Sequence, residues 1–497
     1  MIVRGVRARP AMARRLVSRT GNGRNVDGHE GTNVKKDVSS TRRVPRPEKG
    51  YSGIHGMQVN ALHHIRLLLR AFRYRNYRLF FFGQGISLIG TWVQHVAMSW
   101  LVYRLTGSAL LLGTVAFAAQ IPSFLLSPLA GVAADRWNRR RLLIATQSFS
   151  MLQASILAVL VVTGAVATWH LIALSAFIGV INAFDIPIRQ SFVVEMVEKK
   201  EDLGNAIALN SAMFNSARFI GPSVAGVLIS ALGEGICFTL NAASYVAVII
   251  ALAAIRVEPR KLPDHGKAVW QDLVEGVAYV FAFKPILAIL ALLGVFSIAG
   301  SPYLVLMPVY AKDILHGGAD TFGFLVSAAG IGAIAATIFL AARKSVLGLG
   351  RMIPLSTIGF GFAIAAFAIS PGFTLSLVFL FVAGFGMMIQ IASSNTIVQT
   401  IVDEDKRGRV MSLFTMSFLG MMPFGSLLAG ALAARIGVRI TLLLGAACCV
   451  LGASVFAVNL RRLREMVRPV YVRMGIIPPA GMELAAPAGK TAAGKDG

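Results

Sequence analysis

The chain has 497 residues, 56% of them hydrophobic and only 14% charged, against roughly 25% charged in soluble domains. That composition excludes an ordinary soluble enzyme and points to a polytopic membrane protein. The formal net charge of +25 does not imply nucleic acid, because the basic residues gather in the N-terminal tail and in alternate loops, as membrane insertion requires.

Residues 1–56 are polar, rich in Arg, Gly and Ser, and without a sustained apolar period, so they read as disordered. They contain no apolar h-region and are not a secretory signal peptide. Two readings stay open for them: a basic cytoplasmic tail beside anionic lipid, or an upstream extension that is not translated, with Met57 as the start. From Leu62 to Arg78, Leu67, Leu68, Leu69 and Phe72 interleave with Arg66, Arg70, Arg73, Arg75 and Arg78. That mixture predicts an amphipathic segment on the membrane interface.

Twelve apolar runs follow, near 79–103, 109–133, 142–163, 170–192, 206–231, 236–255, 286–310, 321–342, 352–370, 374–398, 410–434 and 438–460. Each is close to the ~20 residues a spanning helix needs. Among the Lys and Arg residues, only Arg104, Lys312, Arg435 and Arg439 fall in one set of alternate connections, and Arg218 lies within a run. The rest lie in the tails, in the other connections or beside them, which predicts both termini in the cytoplasm. The expected domains are a basic tail (1–78), a six-helix bundle (79–255), a linker with an interfacial helix (256–285), a second bundle (286–460) and a cytoplasmic tail (461–497). In the linker, Trp270, Leu273, Val274, Val277, Val280 and Phe281 recur at helical spacing. Cys237, Cys448 and Cys449 sit in apolar runs, so no disulfide framework is expected.

The two halves show a weak repeat. Gly221, Ala225 and Gly226 in span five match Gly425, Ala429 and Gly430 in span eleven. Span eleven is the fifth of the second half, where a duplicated six-helix unit would put the match. Gly221, Pro222, Gly226, Gly425 and Gly430 are accordingly expected to be helix-packing positions.

Charged groups deep in a bilayer cost about 2.5–3.5 kcal/mol on insertion scales, so each needs a reason. Asp185 and Arg218 are the two that stand well inside runs. Asp185 is four residues before Arg189 with Pro187 between them. Either the two form a structural ion pair, or Asp185 takes part directly in proton or substrate handling. Arg218 suits an anionic or carbonyl-bearing substrate; its alternative is a fixed partner for a backbone carbonyl or for Asp185. Further candidates for a polar cavity are Gln84, Gln94, His95, Gln120, Asn210, Asn215, Gln390, Ser393, Ser394 and Asn395. His95 is a possible proton site or an ordinary packing residue.

Between the second and third runs stands Gly131-Val132-Ala133-Ala134-Asp135-Arg136-Trp137-Asn138-Arg139-Arg140-Arg141. Its spacing resembles the loop 2–3 signature of the major facilitator superfamily, with Asn138 where a second glycine is usual. Asp135 or Asn138 could equally cap the following helix. Gly90-Thr91-Trp92-Val93-Gln94, Leu105-Thr106-Gly107-Ser108, Phe184-Asp185-Ile186-Pro187-Ile188-Arg189-Gln190 and Asn205-Ala206-Ile207-Ala208-Leu209-Asn210 resemble the branch of the enterobactin exporter and related transmembrane secretion effectors. The resemblance implies an all-α fold of twelve transmembrane helices in two bundles, and proton-linked export of small amphipathic molecules such as siderophores or drugs. It implies a cytoplasmic gate of Gly131, Asp135, Arg136, Arg139, Arg140, Asp185, Arg189, Gly408 and Arg409, in which Asp135 faces the start of span eleven near Gly408 and Arg409. In that gate Arg139 reaches Asp185, near Arg189.

The expected protein is a monomeric inner-membrane transporter whose partners are a small-molecule substrate, protons and the lipid bilayer. It needs no cofactor or metal. No H-E-x-x-H, Walker loop or G-x-S-x-G is present, so an enzyme is not expected and energy would come from a gradient. A lipid or lysolipid transporter of the same fold and a non-transporting membrane sensor are the alternatives.

Overall fold

The computed structural model describes residues 69–256, 269–343 and 345–478, all within one compact unit, 61–497. The described residues are all-α. A 3-10 turn at Arg70–Arg73 leads into α1 (Arg75–Thr106), α2 (Ala109–Arg136), α3 (Arg139–Val162), α4 (Thr168–Glu195), α5 (Lys200–Leu232) and α6 (Glu234–Ala254). After α7 (Val269–Ala282) come α8 (Lys284–Ile314), α9 (Ala319–Ala341), α10 (Leu349–Ile369), α11 (Phe373–Ile401), α12 (Arg407–Ile436) and α13 (Val438–Arg473). Among the described residues, eleven helices are long and apolar enough to cross a membrane. The chain is a multi-pass integral membrane protein. Two of the named helices fall outside that set: α7, with only 14 residues, and α1, diluted by Gln84, Gln94, His95 and its terminal arginines.

The expected tail 1–68 and linker segment 257–268 lie outside the described residues. The described part of the 62–78 segment is not a free interfacial helix. Arg73 pairs with Asp202, Tyr74 Oη donates to Asp202 at 2.8 Å, and the Ala71 amide donates to Asn205 at 2.9 Å. Charge pairing with the start of α5 therefore overrides simple amphipathicity and ties this segment to the first bundle.

Local chemistry explains the tight connections. Gly107 ends α1 in the left-handed region (φ 60°), which glycine adopts without a Cβ penalty. Ser108 Oγ then accepts from the Leu111 amide, so the Thr-Gly-Ser string is a stop followed by a start. Asn138 caps α3 by accepting from the Arg141 amide at 3.1 Å.

Helices α1–α6 pack into one bundle and α8–α13 into another. Helix α8 carries π turns at Phe296–Gly300 and Tyr310–Ile314, and α12 one at Met416–Gly420. Ser297 Oγ, in the first of these, donates to the Phe418 carbonyl in the last, so a side chain of α8 satisfies a backbone carbonyl in the distorted turn of α12.

The bundles meet through α2 on α12 and α5 on α9. Gly113 and Gly430 let the first pair touch: a Cβ on Gly430 would stand 2.7 Å from the Ala109 carbonyl. Gly226 and Gly323 do the same for the second, where a Cβ on Gly226 would stand 2.9 Å from the Ala319 carbonyl. The repeated glycines thus hold matching places. Gly226 and Gly430 face the opposite bundle, while Gly221 packs on Trp92 of α1 and Gly425 on Ile298 of α8. Buried Pro222 sits in the same stretch, its carbonyl 2.6 Å from a Cβ on Gly323.

Candidate functional site

Antiparallel alternation puts the connections at 107–108, 163–167, 233, 315–318, 370–372 and 437 at one end of the molecule. The bundles are latched there. Tyr103 Oη donates to the Asp313 carboxylate, Lys312 lies 5.6 Å from the Tyr103 ring centre, and Trp100 stacks on Phe322 at 6.2 Å. Ser223 and Ser327 share a hydrogen bond of 2.6 Å. About halfway down, Phe424 meets Phe117 and Phe124 edge-on at 5.9 and 6.3 Å.

Toward the other end, polar groups pair within their own half. Arg139 pairs with Glu195 at 2.6 Å, Arg140 donates to the Leu252 and Ala253 carbonyls, and Arg409 pairs with Glu275 of α7 at 2.6 Å. Tyr279 Oη donates to Asp403 at 3.1 Å, fastening α7 to the start of α12. Burial raises the Tyr279 pKa, so the phenol stays a donor well beyond neutral pH. The described hydrogen bonds between the bundles gather toward the 107–108 end.

Where the bundles converge, α1 presents Trp92 and His95, with ring centres 5.7 Å apart. Arg218 of α5 lies 5.8 Å from the Trp92 ring centre, a cation–π contact. Tyr303 of α8, from the opposite bundle, stands within electrostatic reach of Arg218. Its buried hydroxyl has no hydrogen-bond partner among the described residues. Arg218 makes no ion pair among the described residues, neither with Asp185 nor with a backbone carbonyl. An unpaired guanidinium and an orphaned phenol, one from each bundle, can together take an anionic or carbonyl oxygen, and Trp92 offers a flat apolar face beside them.

Other sequence candidates fall elsewhere. Gln94 is not a cavity residue. It is buried, donating to Gln153 at 3.0 Å and accepting from Asn241 at 2.7 Å, a network inside the first bundle. Gln84 is also buried. Asp185 is buried and accepts from Thr146 (2.8 Å) and Gln147 (2.7 Å), with Arg189 at 3.4 Å. Arg139 does not take Asp185. Its carboxylate partner among the described residues is Glu195, ten residues on, because ten residues of helix span ~15 Å and only the helix end reaches the turn. Gln390, Ser393 and Ser394 are buried inside the second bundle without partners. Asn395 accepts from Gln399 on its own helix, and Asn215 donates to the Ser211 carbonyl at 2.9 Å. Gln120 and Asn210 are half-buried. Gly408 is exposed in the first turn of α12. The side chains at Gly131, Asp135 and Arg136 lie outside the described residues.

Sequence reasoning missed Tyr303, Tyr103, Asp313, Glu195 and Glu275. Asp313 beside Lys312 was a detectable signal, an acid–base pair at the end of an apolar run. Tyr303 had none, since a tyrosine in an apolar run is ordinary.

Two packed helical bundles, together with the relatives that follow, mark a secondary transporter of the major facilitator kind, which moves small molecules across a membrane and is not an enzyme. Residues 69–473 match the family model described as transmembrane secretion effector, and the chain belongs to that family. It is 27% identical over 364 residues to the staphyloferrin A transporter of Staphylococcus aureus, covering 73% of this chain and 90% of that protein. It is 28% identical over 396 residues to the multidrug efflux pump Tap of Mycolicibacterium fortuitum, covering 77% and 93%. A bacterial homologue of the human lysosomal transporter Spinster superposes with a TM-score of 0.60 at 14% identity, over 79% of this chain and 98% of that one. A POT family transporter in complex with 5-aminolevulinic acid gives 0.63 at 10%, over 78% and 96%.

Proposed function

We propose that the chain is a proton-driven exporter of small amphipathic molecules bearing a carboxylate or comparable anionic oxygen, of the siderophore or drug type. The observation that carries this reading is Arg218: a guanidinium deep between the bundles, unpaired among the described residues, beside the orphaned Tyr303 hydroxyl and the Trp92 face. The names of its relatives, a staphyloferrin A transporter and multidrug efflux pumps, support the substrate class.

In this reading α1 is the first of twelve spans, the bundles are 79–255 and 286–460, and the end opposite the 107–108 connections is cytoplasmic. The distribution of Lys and Arg supports that orientation. Export by alternating access then requires the latch at Tyr103–Asp313 to part while the 131–141 turn holds the start of α12. His95, exposed beside Trp92, is the proposed proton site, because imidazole changes charge in the physiological range.

The test is efflux from vesicles reconstituted with the purified chain, with and without an imposed pH gradient, over a panel of anionic siderophores and cationic drugs. Arg218→Gln should lower transport of the anionic substrates at least tenfold and spare the cationic ones, with Arg218→Lys retaining most activity. Indifference to the pH gradient refutes proton coupling; equal activity of Arg218→Gln on every substrate refutes the site.

A further inference from the structure

We propose that the second bundle holds a binding site for an acidic phospholipid of the surrounding bilayer, separate from the transport cleft. A cavity of about 410 Å³ opens at the end opposite the 107–108 connections, among α8, α10, α11 and α13. Its wall is apolar, built by Ile289, Ile353, Ile397, Ile401, Phe456 and Leu463. Arg351, Arg464 and Arg468 also line it. All three are exposed, and none makes an ion pair among the described residues. Glu465, the acid beside Arg464 on α13, already pairs with Arg461 at 3.5 Å.

The space exists because α10 starts thinly. Gly348, at φ +90°, sets the helix start, and Gly350 follows in the first turn. A Cβ on Gly350 would lie at ordinary contact distance, 3.9 Å, from both Ile397 Cδ1 and Leu460 Cδ1, so a large side chain there would press into the lining of the cavity. The N-terminus of α10 adds a partial positive charge at the same mouth.

The combination selects the occupant. The three guanidiniums and the helix end call for a phosphate-type anion, but a free anion would leave the apolar wall unfilled. An amphiphile satisfies both, with its head among the arginines and a chain along Ile353, Ile397 and Phe456. The volume is within the ~300–1,000 Å³ of small-molecule sites. The lipid is at hand, because the arginines on α13 continue past its apolar part, where helices leave the hydrocarbon for the headgroups.

Native mass spectrometry of the purified full-length chain tests the assignment, with phosphatidylglycerol and phosphatidylcholine of identical acyl chains as probes. The unmodified chain should retain phosphatidylglycerol at least tenfold more strongly. Arg351→Gln combined with Arg464→Gln and Arg468→Gln should remove that preference, and the corresponding triple Lys variant should keep it. Gly350→Phe, which presses into the lining of the cavity and leaves the arginines, should cut phosphatidylglycerol retention at least tenfold. Equal retention of the two lipids by the unmodified chain overturns the proposal whatever the variants do. So does displacement of the lipid by millimolar inorganic phosphate, which would mark a free-anion site, or wild-type retention by folded Gly350→Phe, which would put the lipid on the outer surface.

Discussion

Replacing Gly430 by leucine should push the molecule out of the arrangement seen here. A Cβ at this position falls 2.7 Å from the Ala109 carbonyl oxygen and 2.9 Å from the Gly113 Cα, both backbone atoms of α2. Neither can rotate aside, so α2 and α12 must separate. Overpacking of this kind costs about 1–3 kcal/mol. The cost arises only while the bundles touch at the 107–108 end, so it acts on that state and not on one where the end has parted. A bias of that size shifts a two-state population roughly 5–150-fold. The assay is a distance distribution between spin labels at exposed Leu110 and Arg435, in a background with Cys237, Cys448 and Cys449 replaced. Gly430→Leu should lengthen the distribution, and Gly226→Leu should mirror it from the α5–α9 contact. Gly359→Leu is the control, since nothing lies within 4 Å of its Cβ. An unchanged distribution for Gly430→Leu, or an equal shift for Gly359→Leu, refutes the idea that these glycines set the closure.

Three further outcomes are expected. Asp313→Asn and Tyr103→Phe each remove a charge-assisted hydrogen bond, about 1.5–3 kcal/mol when well formed; alkylation of a cysteine placed at Leu105 should accelerate by about tenfold or more, and a silent Tyr103→Phe would show that the latch carries no strain. Asn241→Leu orphans Gln94 inside the first bundle, which costs about 1–3 kcal/mol; the melting temperature should fall with substrate selectivity unchanged, and altered selectivity at constant stability would return Gln94 to the transport site. For Tyr279, burial places the folded pKa above the ordinary phenol value, so its bond to Asp403 contributes below about pH 10 and is lost as pH rises through the folded value. Hydrogen exchange in α7 should therefore be level from about pH 6 to 9 once corrected for intrinsic rates, and Tyr279→Phe should raise it by a constant factor; a transition near neutrality would refute this.

Much of the architecture was legible because hydropathy along a chain reports which stretches must leave water. The helices and the division into halves follow from that single property. The repeated glycines were legible for a related reason, since close helix approach tolerates few residue types. The polar candidates were not separable in the same way. Gln94 and His95 are sequence neighbours on α1, yet one is locked to Gln153 and Asn241 and the other stands exposed beside Trp92. A rotation of about 100° per residue divides them, and the side toward which each points depends on helices far away in sequence.

The sequence by itself determined that this chain lives in a bilayer as helices in two halves, and that Asp185 and Arg218 needed physical reasons to be there. Only the tertiary structure separated those reasons. It gave Asp185 three partners, from Thr146, Gln147 and Arg189, and left Arg218 between the bundles with Trp92 and Tyr303. Burial is a property of a segment and accumulates locally along the chain. Pairing is a property of orientation, and it is decided only when separate helices settle against one another.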